Sequence, residues 1–164
     1  MRDASDLLGS PVSRLELKVP PDVVWVLVAG LMWLASRYTP QLSLPSLVRV
    51  GVPGLLTVVG VWLMVRARML LDESNTTWRP MTPRQAKAVV RTGVYHLSRN
   101  PIYLGMLAVL VGWAVLLSSP AALAVSAVFV LYLDRFQIEP EERALSDVLG
   151  REYLDYLARV RRWI

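Results

Sequence analysis

The sequence predicts an all-α integral membrane protein, with about four transmembrane helices and a C-terminal cytoplasmic amphipathic helical segment. Three observations lead there. The chain of 164 residues is 54% apolar with a mean hydropathy of +0.42, high for a soluble protein of this size. Its apolar residues gather into runs bounded by prolines and arginines. Beyond Asp134 the composition turns charged, and apolar residues recur every three or four positions, the period of an amphipathic helix.

Residues 1–18 are mixed and polar and read as a partly ordered or interfacial segment; Met1 to Ser13 include acids and show no secretory-signal pattern. Pro20-Pro21 ends that segment and opens the first span, 22–38, whose flanks carry Trp25, Trp33 and Tyr38 as interface anchors. A Pro-containing turn leads to the second span, 47–67, where Gly51, Gly54 and Gly60 permit close helix packing. Residues 68–100 form a polar cytoplasmic loop, in which Gln85 to Val90 read as one or two helical turns and Thr92-Gly93 as a turn. The third and fourth spans, 101–118 and 120–134, are joined by the short Ser118-Ser119-Pro120 turn and must be antiparallel neighbours. Residues 135–164 form a helical lid that Gly150 divides, ending in the basic-aromatic run Arg159 to Trp163, suited to an anionic membrane face. Residues 1–164 thus read as one membrane domain.

Charge orients it. Seven Lys and Arg residues lie between Arg66 and Arg99 and six from Arg135 onward, against none in the Ser118–Pro120 turn. The positive-inside rule therefore puts both termini and the central loop in the cytoplasm, with the protein in the cell membrane. The net charge of +5 is divided among apolar runs, so it signals membrane lipids as partners and not nucleic acid. With no cysteine and one histidine, disulfides, a Cys nucleophile and a Cys-ligated metal are excluded, and no metal is expected. None of the glycines forms a Gly-x-Gly-x-x-Gly nucleotide site. No charge sits mid-span, which disfavours a transporter.

The polar candidates fall on one membrane face. His96, Arg99, Asn100 and Tyr103 crowd the start of the third span, where Pro101 begins the helix, and Glu139, Glu141 and Glu142 follow the fourth. Antiparallel neighbours bring these two clusters together from far apart in sequence. A pocket with Arg and His at one end and carboxylates at the other suits a zwitterion, its carboxylate on Arg99 or His96 and its ammonium on a glutamate. Read alone, each residue has a plainer role: His96 as an interfacial histidine, Arg99 as a snorkelling arginine, Tyr103 as a belt aromatic, the glutamates as a helix start. Tyr153 and Tyr156 read as helix packing, and the terminal arginines as lipid-facing charge.

The stretch Gly93 to Gly105 (Gly-Val-Tyr-His-Leu-Ser-Arg-Asn-Pro-Ile-Tyr-Leu-Gly) resembles the Arg-His-Pro-x-Tyr signature of isoprenylcysteine carboxyl methyltransferases and related phospholipid methyltransferases. Ile138-Glu139-Pro140-Glu141-Glu142 resembles the Glu-Glu pair that completes it, and the tail from Leu149 to Trp163 is similar too. Asn100 stands where the eukaryotic enzymes have His; it donates and accepts but does not titrate near neutral pH. The resemblance implies S-adenosylmethionine as cofactor, enclosed by His96, Arg99, Asn100, Pro101, Tyr103 and Gly105, with Glu141 and Glu142 on its polar groups and Arg99 and Glu142 carrying the chemistry. It also implies a lipid or lipophilic small-molecule acceptor, a carboxylate, thiol or amine, that arrives from the bilayer. The alternative is a non-catalytic accessory or small-molecule-binding protein on the same scaffold.

Overall fold

A computed structural model describes residues 16–77 and 82–164 of the chain. The expected order of 1–18 therefore lies almost wholly outside the described residues. Those described form helices and no strand: α1 (Pro21–Tyr38), α2 (Ser46–Glu73), 3-10 turns at Pro83–Gln85 and Gly93–His96, α3 (Pro101–Leu116), α4 (Pro120–Leu133), a π turn (Asp134–Ile138), α5 (Glu139–Leu149) and α6 (Arg151–Arg159). Prolines open α1, α3 and α4 at their first turns, where a missing N–H costs nothing. Ser119 caps α4, its hydroxyl accepting from the Ala122 N–H at 3.1 Å.

Two boundaries differ from the sequence reading. α2 does not stop near Ala67 but runs on to Glu73, so the connection begins at Ser74. The residues past Ala67 are good helix formers, Arg68 pairs with Asp72 one turn on, and nothing breaks the backbone until Asn75 takes a left-handed conformation (φ 51°). Hydropathy marks where a helix leaves an apolar phase, not where it ends. In the connection, the helical turn sits at Pro83–Gln85 and not across Gln85–Val90, because Ala86 is already extended.

α2 packs along α3, α1 along α4, and α3 beside α4. The α2–α3 contact depends on two glycines. A Cβ at Gly60 would sit 2.5 Å from the Gly105 carbonyl oxygen, and a Cβ at Gly105 would sit 2.5 Å from that of Gly60. The core gathers Val28 and Met32 of α1, Leu110 of α3, and Phe129 and Leu133 of α4. Two indoles cross from helix to helix: Trp25 Nε1 donates to the Met106 carbonyl at 2.9 Å and Trp113 Nε1 to that of Ala29 at 3.2 Å. A smaller cluster of Ala67, Val90, Val94 and Tyr95 seats the connection on the end of α2.

Among the described residues, two helical runs are long and apolar enough to cross a membrane: Ser46–Glu73, and Pro120–Leu149, whose apolar part ends before Asp134. α3 is apolar but shorter. The outer face of α2 leaves Val50, Leu55, Val58 and Trp62 more than half exposed. A patch of that kind on one helix calls for an apolar surrounding.

The glycine contact generates a stability prediction. Gly105→Ala forces a methyl onto backbone and is expected to lower stability by about 1–3 kcal/mol. Gly54→Ala, which meets nothing within 4 Å, is the matched control and should change little. Thermal unfolding in detergent, followed by circular dichroism, checks the pair.

Candidate functional site

The residues that lead into α3 are held before the helix begins. Gly93 turns at φ 59° against Leu70, and the 3-10 turn closes with the Ser98 N–H donating to the Val94 carbonyl at 3.3 Å. The buried Ser98 hydroxyl then accepts from the Asn100 N–H at 3.1 Å, so Arg99 sits in a tight bend just ahead of Pro101. On the other side, the π turn after α4 buries Gln137 and Ile138 and starts α5 with Glu139, Glu141 and Glu142 in its first turn. A π turn carries an extra residue per turn and re-aims the helix that follows, a device common at functional sites.

These elements face one cavity of about 880 Å³. That is within the range of small-molecule sites, roughly 300–1,000 Å³. Its polar end carries Arg99, Asn100, Tyr103, Glu141 and Glu142, and its apolar walls include Trp25, Met64, Met106 and Leu145. Tyr103 Oη donates to Glu141 Oε2 at 3.1 Å. Arg99 Nη2 lies 3.3 Å from Glu142 Oε1, with side chains 13% and 15% exposed. Arg99 and Glu142 therefore do not stand at opposite ends of a zwitterion pocket; they pair with each other. Three buried polar atoms, Arg99 Nε, Arg91 Nε and Thr82 Oγ1, find no partner among the described residues, and the residues Arg99 and Thr82 line this cavity.

Of the residues singled out from the sequence, Arg99, Asn100, Pro101, Tyr103, Glu141 and Glu142 line the cavity. His96 is exposed at the end of the 3-10 turn and Gly105 faces Gly60, so neither is in the cavity wall. Glu139 points away, to Arg135 at 3.0 Å. Tyr153 and Tyr156 are buried and also line the cavity, and Tyr156 Oη donates to the Tyr95 carbonyl at 2.7 Å. The C-terminal arginines were expected to face lipid, but Arg162 turns inward: its Nη2 is 2.8 Å from Glu142 Oε2 and its Nη1 3.4 Å from Asp134 Oδ1. Its carbonyl accepts from Ser98 Oγ at 3.2 Å and Asn100 Nδ2 at 3.0 Å, and the Arg161 carbonyl from the Arg99 N–H at 3.0 Å. Sequence reasoning missed Arg162, Asp134 and Gln137. The basic-aromatic end was visible, but nothing in it marked one arginine of three.

Burial pushes the Glu141 carboxyl up to about 7, against the opposing hydrogen bonds from Tyr103 and Gln137 and with a smaller upward push from Glu142. A carboxyl raised in the folded state stabilises the fold fully below its ordinary value and loses that contribution as pH rises through 7. Unliganded protein is therefore expected to lose stability between about pH 4.5 and 7.5, and Glu141→Gln to flatten that fall and gain roughly 1–3 kcal/mol at pH 8. Melting temperature measured against pH for both proteins checks it.

Comparison with known proteins bears on what this cavity is for. The family model for phospholipid methyltransferase matches residues 48–152, more than half of the chain. The protein-S-isoprenylcysteine O-methyltransferase of Mus musculus is 32% identical over 128 residues, 77% of this chain and 44% of that protein. Its namesake in Saccharomyces cerevisiae is 37% identical over 75 residues, 44% of this chain and 30% of that one. A Haemophilus influenzae protein named only as uncharacterized is 36% identical over 63 residues, 38% of this chain and 100% of its own length. The chain thus spans less than half the length of the mouse and yeast enzymes it matches. No solved structure matches it. The matched stretch contains Arg99 and Tyr103 as well as Glu141 and Glu142, both clusters that meet on the cavity, and on that evidence the chain belongs to the phospholipid methyltransferase family.

Proposed function

We propose that the protein is an integral membrane methyltransferase that uses S-adenosylmethionine to methylate a lipophilic or small acceptor arriving from the bilayer. The observation that carries this reading is the convergence of Arg99 and Tyr103 with Glu141 and Glu142 on one cavity, in a chain of this family. In this reading α1 to α4 are the spans of a single membrane domain. The 74–100 connection, residues 135–164 and both termini lie on the cytoplasmic side. The distribution of arginine and lysine and the exposed apolar face of α2 support that arrangement.

The residues present fit the cofactor. The unpartnered Arg99 Nε offers a donor for a carboxylate and the unpartnered Thr82 hydroxyl one for a ribose or amide oxygen. Glu141 and the ring faces of Tyr103 and Tyr153 offer electron-rich surfaces to a cation. When bound, S-adenosylmethionine supplies a methyl carbon made electrophilic by its sulfonium. The protein's part is then to align, to exclude water and to manage one proton. Trp25, Met64 and Met106 keep one wall of the cavity dry. A carboxylate acceptor is ionised at pH 7 and needs no base. For an amine or thiol acceptor a Glu141 carboxylate oxygen takes the proton, since that group titrates near neutral pH.

Isothermal titration of the folded wild type with S-adenosylhomocysteine is expected to show binding; its absence sinks the proposal. Arg99→Ala and Glu142→Ala are each expected to weaken that binding by about tenfold or more, since each removes a charge-assisted contact at the polar end. Consumption of S-adenosylmethionine with a panel of lipophilic acids, thiols and amines tests turnover. Binding with no turnover across the panel favours the accessory or small-molecule-binding alternative.

A further inference from the structure

Arg162 touches both halves of the polar end and is not part of the cavity wall. Its guanidinium meets Glu142 through two nitrogens, Nη2 to Oε2 at 2.8 Å and Nε to Oε1 at 3.4 Å. The same Glu142 Oε1 lies 3.3 Å from Arg99 Nη2, so one carboxylate is shared by two guanidiniums. Behind Arg162 stands Asp134, which accepts from Arg162 Nη1 at 3.4 Å and from Trp163 Nε1 at 3.1 Å on the same oxygen. On the main chain, the Arg162 carbonyl accepts from both Ser98 and Asn100. Residues 161–163 are thus tied through side chain and backbone to the bend that presents Arg99 and to Glu142.

Resting on the methyltransferase reading above, we propose that Arg162 is a positioning residue: its guanidinium holds Glu142 against Arg99, and its carbonyl holds the Ser98–Asn100 bend, so one residue of the tail sets the spacing of both motif halves around the cofactor. The physical basis is the planar guanidinium fork. Nη2 and Nε engage both Glu142 oxygens while Nη1 reaches Asp134, a fixed geometry that orients the carboxylate. An ammonium is a point charge and cannot hold both Glu142 oxygens and Asp134 at once. Without Arg162, Glu142 is free to rotate away from Arg99, and the orientation in which Arg99 meets a ligand carboxylate is lost.

The full chain in detergent, titrated with S-adenosylhomocysteine, tests this. Arg162→Ala is expected to weaken binding by about tenfold, the effect of losing a hydrogen-bonded charge contact. Arg162→Lys, which keeps the charge, is expected to stay about threefold weaker than wild type. In a Glu142→Gln background, Arg162→Ala is expected to add less than about twofold, because a residue acting through Glu142 couples to it. A general structural loss multiplies instead, so multiplicative effects overturn the proposal, as does wild-type affinity in folded Arg162→Ala. Circular dichroism melts report folding; should Arg162→Ala not fold, Arg162→Lys decides, and wild-type affinity there overturns the role. If the wild type itself fails to bind S-adenosylhomocysteine, the methyltransferase reading falls and this role with it. Wild-type binding with unaltered variants removes the role of Arg162 alone.

Discussion

Glu142 sits between two guanidiniums with little water to help it. Its side chain is 15% exposed, those of Arg99 and Arg162 13% and 29%. Charges in such a place interact strongly but are costly to bring out of water, and the balance is favourable only while every member is present. Removing one partner leaves the others uncompensated, at a cost of roughly 3–5 kcal/mol for a buried pair. The three members come from the bend before α3, the first turn of α5, and the C-terminal tail. The ion network therefore couples distant parts of the chain, and the polar end of the cavity cannot form piecemeal.

That network is possible because the helices beneath it are placed by contacts of another kind. Gly60 and Gly105 let α2 and α3 approach until backbone meets backbone, and the indoles of Trp25 and Trp113 tether α1 to α3. Where the surrounding medium is apolar, burial of oily faces does not drive helices together, so close packing and interhelical hydrogen bonds do. The close approach of α2 also carries its last turns past the apolar zone. There Leu70 and Leu71 support Val90, Val94 and Tyr95, and so the bend that aims Arg99. Gly105 thus serves the site through helix packing and not as a wall of the cavity.

The Gly93 to Gly105 stretch and the Glu141-Glu142 pair both stood out in the sequence, and four of their residues meet at the polar end of the cavity. Their placement was legible because a turn of three residues between two oily helices leaves only an antiparallel arrangement. Arg99 and Glu142 as separate poles for a zwitterion did not survive, since the two pair with each other across elements, a contact that sequence spacing does not mark. Arg162 was hidden for a related reason. Arg159, Arg161 and Arg162 are alike in composition, and only the path of the tail, extended from Val160 and bonded to the 98–100 bend, selects the one that turns inward.

The sequence alone determined the all-helical class, the bounds of most helices to within a few residues, and the face on which the polar clusters gather. Prolines, hydropathy and charge act locally, so they are readable in one dimension. The tertiary structure decided which charges pair, which glycine is packing and which tyrosines reach the cavity. Those outcomes depend on distances of about 3 Å between residues tens of positions apart. Such distances are set by how the helices pack and by the return of the tail, neither of which leaves a periodic mark on the sequence.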